Sequence, residues 1–295
     1  MARMDMRAIA MGVAFAFIWA SAFSATRIVV VAVPPLTALV LRFTLSGVIG
    51  VGLALAMGQR WRLSRSEWRS LIVFGLCQNA LYLGANWIGM QWVEASAAAI
   101  IASMMPLLVA GSGWLFRAER LRPVAAAGLV IGLGGVALVM GARLEDGLHL
   151  GGVLILLFGV LALTVATLAA RGAGGGDNVV MVVGLQMLVG AAALVPPALL
   201  LEWGQPAVCS PPVVAGFVFS VLFPGLLATW IWLLLVRRIG AVRAATFHFL
   251  SPVFGVAIAA LLLGERFGVV DIIGAAIVAA GILMVQLSRM PPAAR

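Results

Sequence analysis

Gln78, Asn79, Tyr82 and Asn86 interrupt a stretch that is otherwise apolar, and Tyr82 is the chain's single tyrosine. On an α-helix, spacings of three and four put Asn79, Tyr82 and Asn86 on one face, with Gly75 below them. Amides and a phenol make reversible hydrogen bonds. Beside them stands no nucleophile with a base and no pair of carboxylates, which catalysis would need. The stripe therefore suits a face that binds a polar solute. Interhelical hydrogen bonding uses the same residue types, and the residues alone leave both uses open.

A second set gathers at two prolines. His248 and Ser251 precede Pro252, with Phe247 beside them, and Met105 precedes Pro106. Proline removes a helical hydrogen bond and permits bending, so Pro106 and Pro252 are read as hinges. A simple packing kink accounts for each equally well, and His248 equally suits a buried histidine bonded to a carbonyl. Met105, Phe247 and Trp19 offer apolar or aromatic walls. Arg42 lies inside an apolar run, roughly 10 Å from its outer end at about 1.5 Å per residue. A guanidinium there needs partners, either a solute carboxylate or backbone carbonyls. Ser21, Ser24, Thr164 and Thr167 are secondary contacts or packing material, and Trp230 and Trp232 line an inner gate or pack.

Other chemistries lack their parts. His149 and His248 are far apart in sequence, Cys77 and Cys209 are isolated, and all ten acidic residues fall in loops or at segment ends. The expectation is no catalytic residue, no metal ligand and no cofactor. Without a carboxylate in mid-segment, neither a carboxylate proton relay nor a site for cationic drugs has a candidate. One intramembrane arginine is too few for sugar phosphates.

The elements that must position these residues follow from composition. Of 295 residues, 64% are hydrophobic and only 10% charged, against about 25% charged in soluble domains. Mean hydropathy is +1.17. Spans of about 20 apolar residues cross a bilayer, and ten such segments stand out: 8–32, 36–57, 69–91, 95–116, 123–141, 150–170, 179–201, 213–236, 244–263 and 269–288. The chain is read as an all-α integral membrane protein with lipid as its solvent. Its net charge of +9 comes from arginines in short loops, which is the topological pattern and not a nucleic-acid footprint. Placing both termini in the cytoplasm puts Arg27, Arg143 and Arg266 outside, leaves Arg42 in the bilayer and keeps the other arginines inside. Ala20-Ser21-Ala22 resembles a signal-peptidase site, but the run from Ala8 to Val33 is longer than a signal peptide needs.

The chain also repeats itself at an offset of 146. Pro106 matches Pro252, Glu119-Arg120 matches Glu265-Arg266, and Gly128 and Gly135 match Gly274 and Gly281. The expected domains are 1–141 and 142–295, five helices each. Five is odd, so the second copy enters the membrane from the opposite face, and a solute site near the midplane is expected.

Trp19-Ala20-Ser21-Ala22-Phe23, Leu41-Arg42-Phe43 and the close Pro252…Gly264-Glu265-Arg266 resemble the EamA-type exporters of the drug/metabolite transporter superfamily. The resemblance covers the whole chain, and amino-acid exporters are among the members it is similar to. It implies a basket of helices around a central cavity. Segments 3, 4, 8 and 9, with 1, 2, 6 and 7, would line that cavity, and 5 and 10 would lie peripherally. It also implies a monomer in the cell inner membrane, exporting broad, neutral and aromatic amino acids by alternating access. Another small metabolite, such as a nucleoside, sugar or drug-like molecule, is the alternative. The expected solute contacts are Trp19, Arg42, Gln78, Asn79, Tyr82, Asn86, Met105, Phe247, His248 and Ser251.

Overall fold

The computed structural model describes residues 6–117, 122–145, 147–170 and 178–288. Ten of its helices are long and apolar enough to cross a membrane. They are α1 (Met6–Val30), α2 (Pro35–Ala56), α3 (Arg65–Gly89), α4 (Ala95–Leu115), α5 (Pro123–Glu145), α6 (Leu150–Leu168), α7 (Val179–Glu202), α8 (Pro211–Val236), α9 (Arg243–Leu263) and α10 (Val269–Ser288). Among the described residues there is no strand. Each expected segment is matched by a helix, with shifts at the ends. α3 starts four residues early because Ser64 and Glu67 form a capping box that satisfies the first free N–H groups. α5 runs on to Glu145 because Arg143, near its end, is buried against carboxylates rather than released to water.

Four helices are irregular. α3 widens into π-helical turns over Gly75–Leu83, and α8 does so over Val221–Leu227, where Pro224 is enclosed. α4 breaks after Ala102 and restarts at Met105. α9 passes through a 3-10 turn, Phe247–Leu250, and restarts at Ser251. Pro106 and Pro252 thus stand in the first turn of a new helix, where proline forfeits no hydrogen bond. The two π segments begin 146 residues apart, and so do the two restarts.

The helices pack as two compact units. The first unites the start of α1 with α4, α5, the end of α8, α9 and α10; the second unites the end of α1 with α2, α3, α6, α7 and the start of α8. In the first unit, α5 and α10 meet through glycines, and a Cβ on Gly281 would lie 2.5 Å from the Gly132 backbone. Gly128 meets the Gly281 carbonyl, Gly135 meets Val278 and Gly274 meets Val139. Such close approach is how helices gain contact in lipid, where no hydrophobic force drives them together. It also gives the repeated glycine pairs a physical role. In the second unit α2 crosses α7 in the same way, with Gly50 3.1 Å from the Gly184 Cα when given a Cβ.

Carboxylates close two helix starts. After Gly264 ends the α9 helix in a left-handed turn (φ +66°), Glu265 accepts from the N–H groups of Ala95 (2.7 Å) and Ser96 (3.0 Å) at the start of α4. Glu202 does the same for Leu36 and Thr37 at the start of α2. Anions at helix N-termini are favourable, and more so away from water. The earlier Glu119-Arg120 pair lies outside the described residues.

Candidate functional site

The residues singled out by the sequence fall into both units. Arg42, Gln78, Asn79, Tyr82 and Asn86 belong to the second, and Trp19, Met105, Phe247, His248, Ser251, Pro106 and Pro252 to the first.

In the second unit, the π turns of α3 change the expected stripe. Asn79, Tyr82 and Asn86 are all buried, but they do not share one neighbour. Asn79 meets α7: its amide nitrogen donates to the Gln186 backbone carbonyl at 2.8 Å and to the Gln186 side-chain oxygen at 2.7 Å. Gly190 leaves room for it, since a Cβ there would fall 2.3 Å from the Asn79 Cβ. Tyr82 meets α6, its ring edge packing at Gly159. A π turn takes more residues per revolution than an α turn, so residues three apart, such as Asn79 and Tyr82, no longer stand on one face. Asn79 is thus engaged in helix pairing, whereas the Asn86 and Gln78 side chains have no hydrogen-bond partner among the described residues. Arg42 is buried and donates through Nε to the Ser220 carbonyl at 3.1 Å. Its guanidinium lies over the rings of Phe43 (5.4 Å) and Trp87 (5.7 Å).

In the first unit, the 3-10 turn before Pro252 presents His248 to three aromatic rings. Phe15 meets it edge-on at 5.3 Å, Trp19 edge-on at 6.0 Å and Trp232 tilted at 5.5 Å. Phe15 and Trp19 are one helical turn apart on α1, and Phe15 also packs on Trp232 at 4.9 Å. No hydrogen bond from a described residue reaches the His248 ring, and the buried Ser251 hydroxyl has no partner among them either. Phe247, by contrast, packs on Gly12 and on the small apolar core of Ala8, Leu235 and Ala244. Trp230 and Trp232 part company, the former exposed and the latter in the cluster. Ser21, Thr164 and Thr167 bond carbonyls of their own helices.

Three features escaped the sequence reading. Phe15 was visible only as the residue a turn before Trp19. Trp87 was hidden by its place near a span end, where tryptophan usually marks an interface. The third is an ion network in the first unit, built on the buried pair Arg143 and Asp271. Arg143 donates to Asp271 at 2.8 Å and to the Ser96 hydroxyl at 3.0 Å, and pairs with Glu94. Three ionic residues at segment ends were its only trace. Among the described residues no group of three His, Cys, Asp or Glu side chains is placed to hold a metal.

Comparison with known proteins places these features in context. A model described as the EamA-like transporter family matches residues 6–141 and 150–287. The uncharacterized transporter YvbV of Bacillus subtilis is 23% identical over 86% of this chain and 83% of its own length. The uncharacterized inner membrane transporter YedA of Escherichia coli K12 is 23% identical over 92% of this chain and 88% of its own. The aromatic amino acid exporter YddG of Ancylobacter novellus is 31% identical, over 38% of this chain and 39% of its own. A solved crystal structure superposes with a TM-score of 0.67 at 22% identity, covering 95% of this chain and 98% of that one. That likeness concerns the fold.

Proposed function

The chain belongs to the EamA-like transporter family, and from that premise we propose that it exports amino acids, with apolar and aromatic side chains favoured. The observation that carries this reading is the His248 cluster. Flat rings of Phe15, Trp19 and Trp232 surround one polar ring whose nitrogens are unpartnered among the described residues. Such a group offers stacking surface together with a hydrogen-bonding tip, which suits an aromatic or bulky apolar side chain. Apolar walls discriminate poorly between similar shapes, so specificity is broad. The partial likeness to an aromatic amino acid exporter points the same way.

Transport proceeds by alternating access between two five-helix repeats, 1–141 and 142–295, of opposite orientation. The matching offsets of the π segments and of the proline restarts support a duplication. The test is uptake by sealed proteoliposomes of a panel of labelled metabolites. Phenylalanine, tryptophan and leucine should equilibrate across the membrane, and Trp19→Ala should slow the aromatic substrates most. Uptake of nucleosides or sugars with no amino acid transported would replace this reading with the metabolite alternative.

A further inference from the structure

Within the second unit, the way Arg42 is held indicates what its free donors can recognise. The carbonyl of Ser220 stands at the start of the π-helical segment Val221–Leu227, in the turn that encloses Pro224, which has no N–H. Arg42 Nε donates to this carbonyl. The contact uses one of five guanidinium N–H groups. The flanking faces of Phe43 and Trp87 add cation–π attraction. No carboxylate among the described residues pairs with Arg42, although the chain does pair Arg143 with two. The Trp87 indole N–H is fully buried and also lacks a partner among the described residues. Two buried donor groups thus stand together with no acceptor assigned to them beyond the Ser220 carbonyl. A guanidinium fork of this kind matches a carboxylate, which accepts two parallel hydrogen bonds.

We propose that Arg42, with the Trp87 indole N–H, binds the α-carboxylate of the transported amino acid. The Ser220 carbonyl and the two aromatic faces hold the guanidinium in place for it. This rests on the amino-acid reading for the identity of the solute, while the anion site itself can be tested apart from it.

The experiment is competitive binding to the purified full chain in detergent, followed by intrinsic tryptophan fluorescence, with phenylalanine, phenylalaninamide and 3-phenylpropionate as probes. Phenylalanine should bind about tenfold or more tightly than its amide, the scale of a lost hydrogen bond to a charge. 3-Phenylpropionate, which has the carboxylate and no amine, should bind measurably. In Arg42→Gln the preference for acid over amide should collapse. Trp87→Phe, which removes only the indole N–H and some volume, should weaken the two carboxylates several-fold more than the amide. Equal binding of acid and amide by the unaltered protein overturns the carboxylate site while leaving amino-acid transport standing. Binding of 3-phenylpropionate without any amino acid retains the anion site and overturns the amino-acid reading.

Discussion

Asn79 and Arg143 show how polar side chains are used in this chain when lipid is the solvent. Each is buried, and each is bonded to residues distant in sequence. Asn79→Ala would leave the Gln186 side chain and carbonyl without their donor. We expect a loss of about 0.5–2 kcal/mol, the range of interhelical hydrogen bonds in bilayers, read as a lower thermal midpoint in detergent. Arg143→Gln leaves the buried Asp271 carboxylate without its cation, and breaking a buried pair by removing one partner costs about 3–5 kcal/mol. Its midpoint should fall further than that of Asn79→Ala. Ser288→Ala is the control. Among the described residues that hydroxyl bonds the carbonyl three residues back, so stability and transport should be unchanged. Tyr82→Phe, which removes only the hydroxyl of a buried ring, should impair transport in proteoliposomes with little change in the thermal midpoint.

The helices are shaped by small residues and by broken hydrogen bonding more than by amphipathic stripes. α5 and α10 approach until glycine backbones touch, so a single methyl group discriminates between their faces. Gly281→Ala would place a carbon 2.5 Å from the Gly132 backbone, whereas Gly134→Ala would meet nothing within 4 Å. The first should lower thermal stability sharply and the second should leave it unaltered or slightly raised, since alanine is the better helix former. Unfolding curves of the two variants side by side check this. A fall of the same size in both would mean that glycine packing does not hold α5 to α10. The π segments are informative in a different way. They occur where α3 and α8 carry their buried polar contacts, as such insertions often do at functional sites.

At the scale of the molecule, ten spans and the arginine distribution set an expected topology with both termini in the cytoplasm. Reporters at both ends should register inside, and one inserted in the loop 142–149 should register outside. An external terminus would remove the argument for opposed repeats. The absence of any Asp or Glu in mid-span in the sequence leads to a second expectation, transport down the solute gradient without obligatory proton coupling. His248 is the mid-span imidazole among the described residues, so it is the side chain on which proton coupling is tested. Accumulation driven by an imposed pH gradient in proteoliposomes, and abolished in His248→Ala, would disprove uncoupled transport.

The ten spans and the membrane setting were legible in the sequence alone. Hydropathy is a property of consecutive residues, and bilayer thickness fixes the length it must cover. The Pro106 and Pro252 breaks were legible as well, although the structure made them helix starts rather than bends within a helix. Pairing was decided elsewhere. Asn79 finds Gln186 across 107 residues, Arg143 finds Asp271 across 128, and Arg42 finds Ser220 across 178. The α-helical spacing behind the Asn79, Tyr82 and Asn86 stripe does not run through the π-helical segment Gly75–Leu83, which holds the first two of them. A buried polar group must be satisfied by whichever helix lies against it. One-dimensional spacing names the candidates for that bond, and only the packed tertiary structure determines which of them are engaged, and by what.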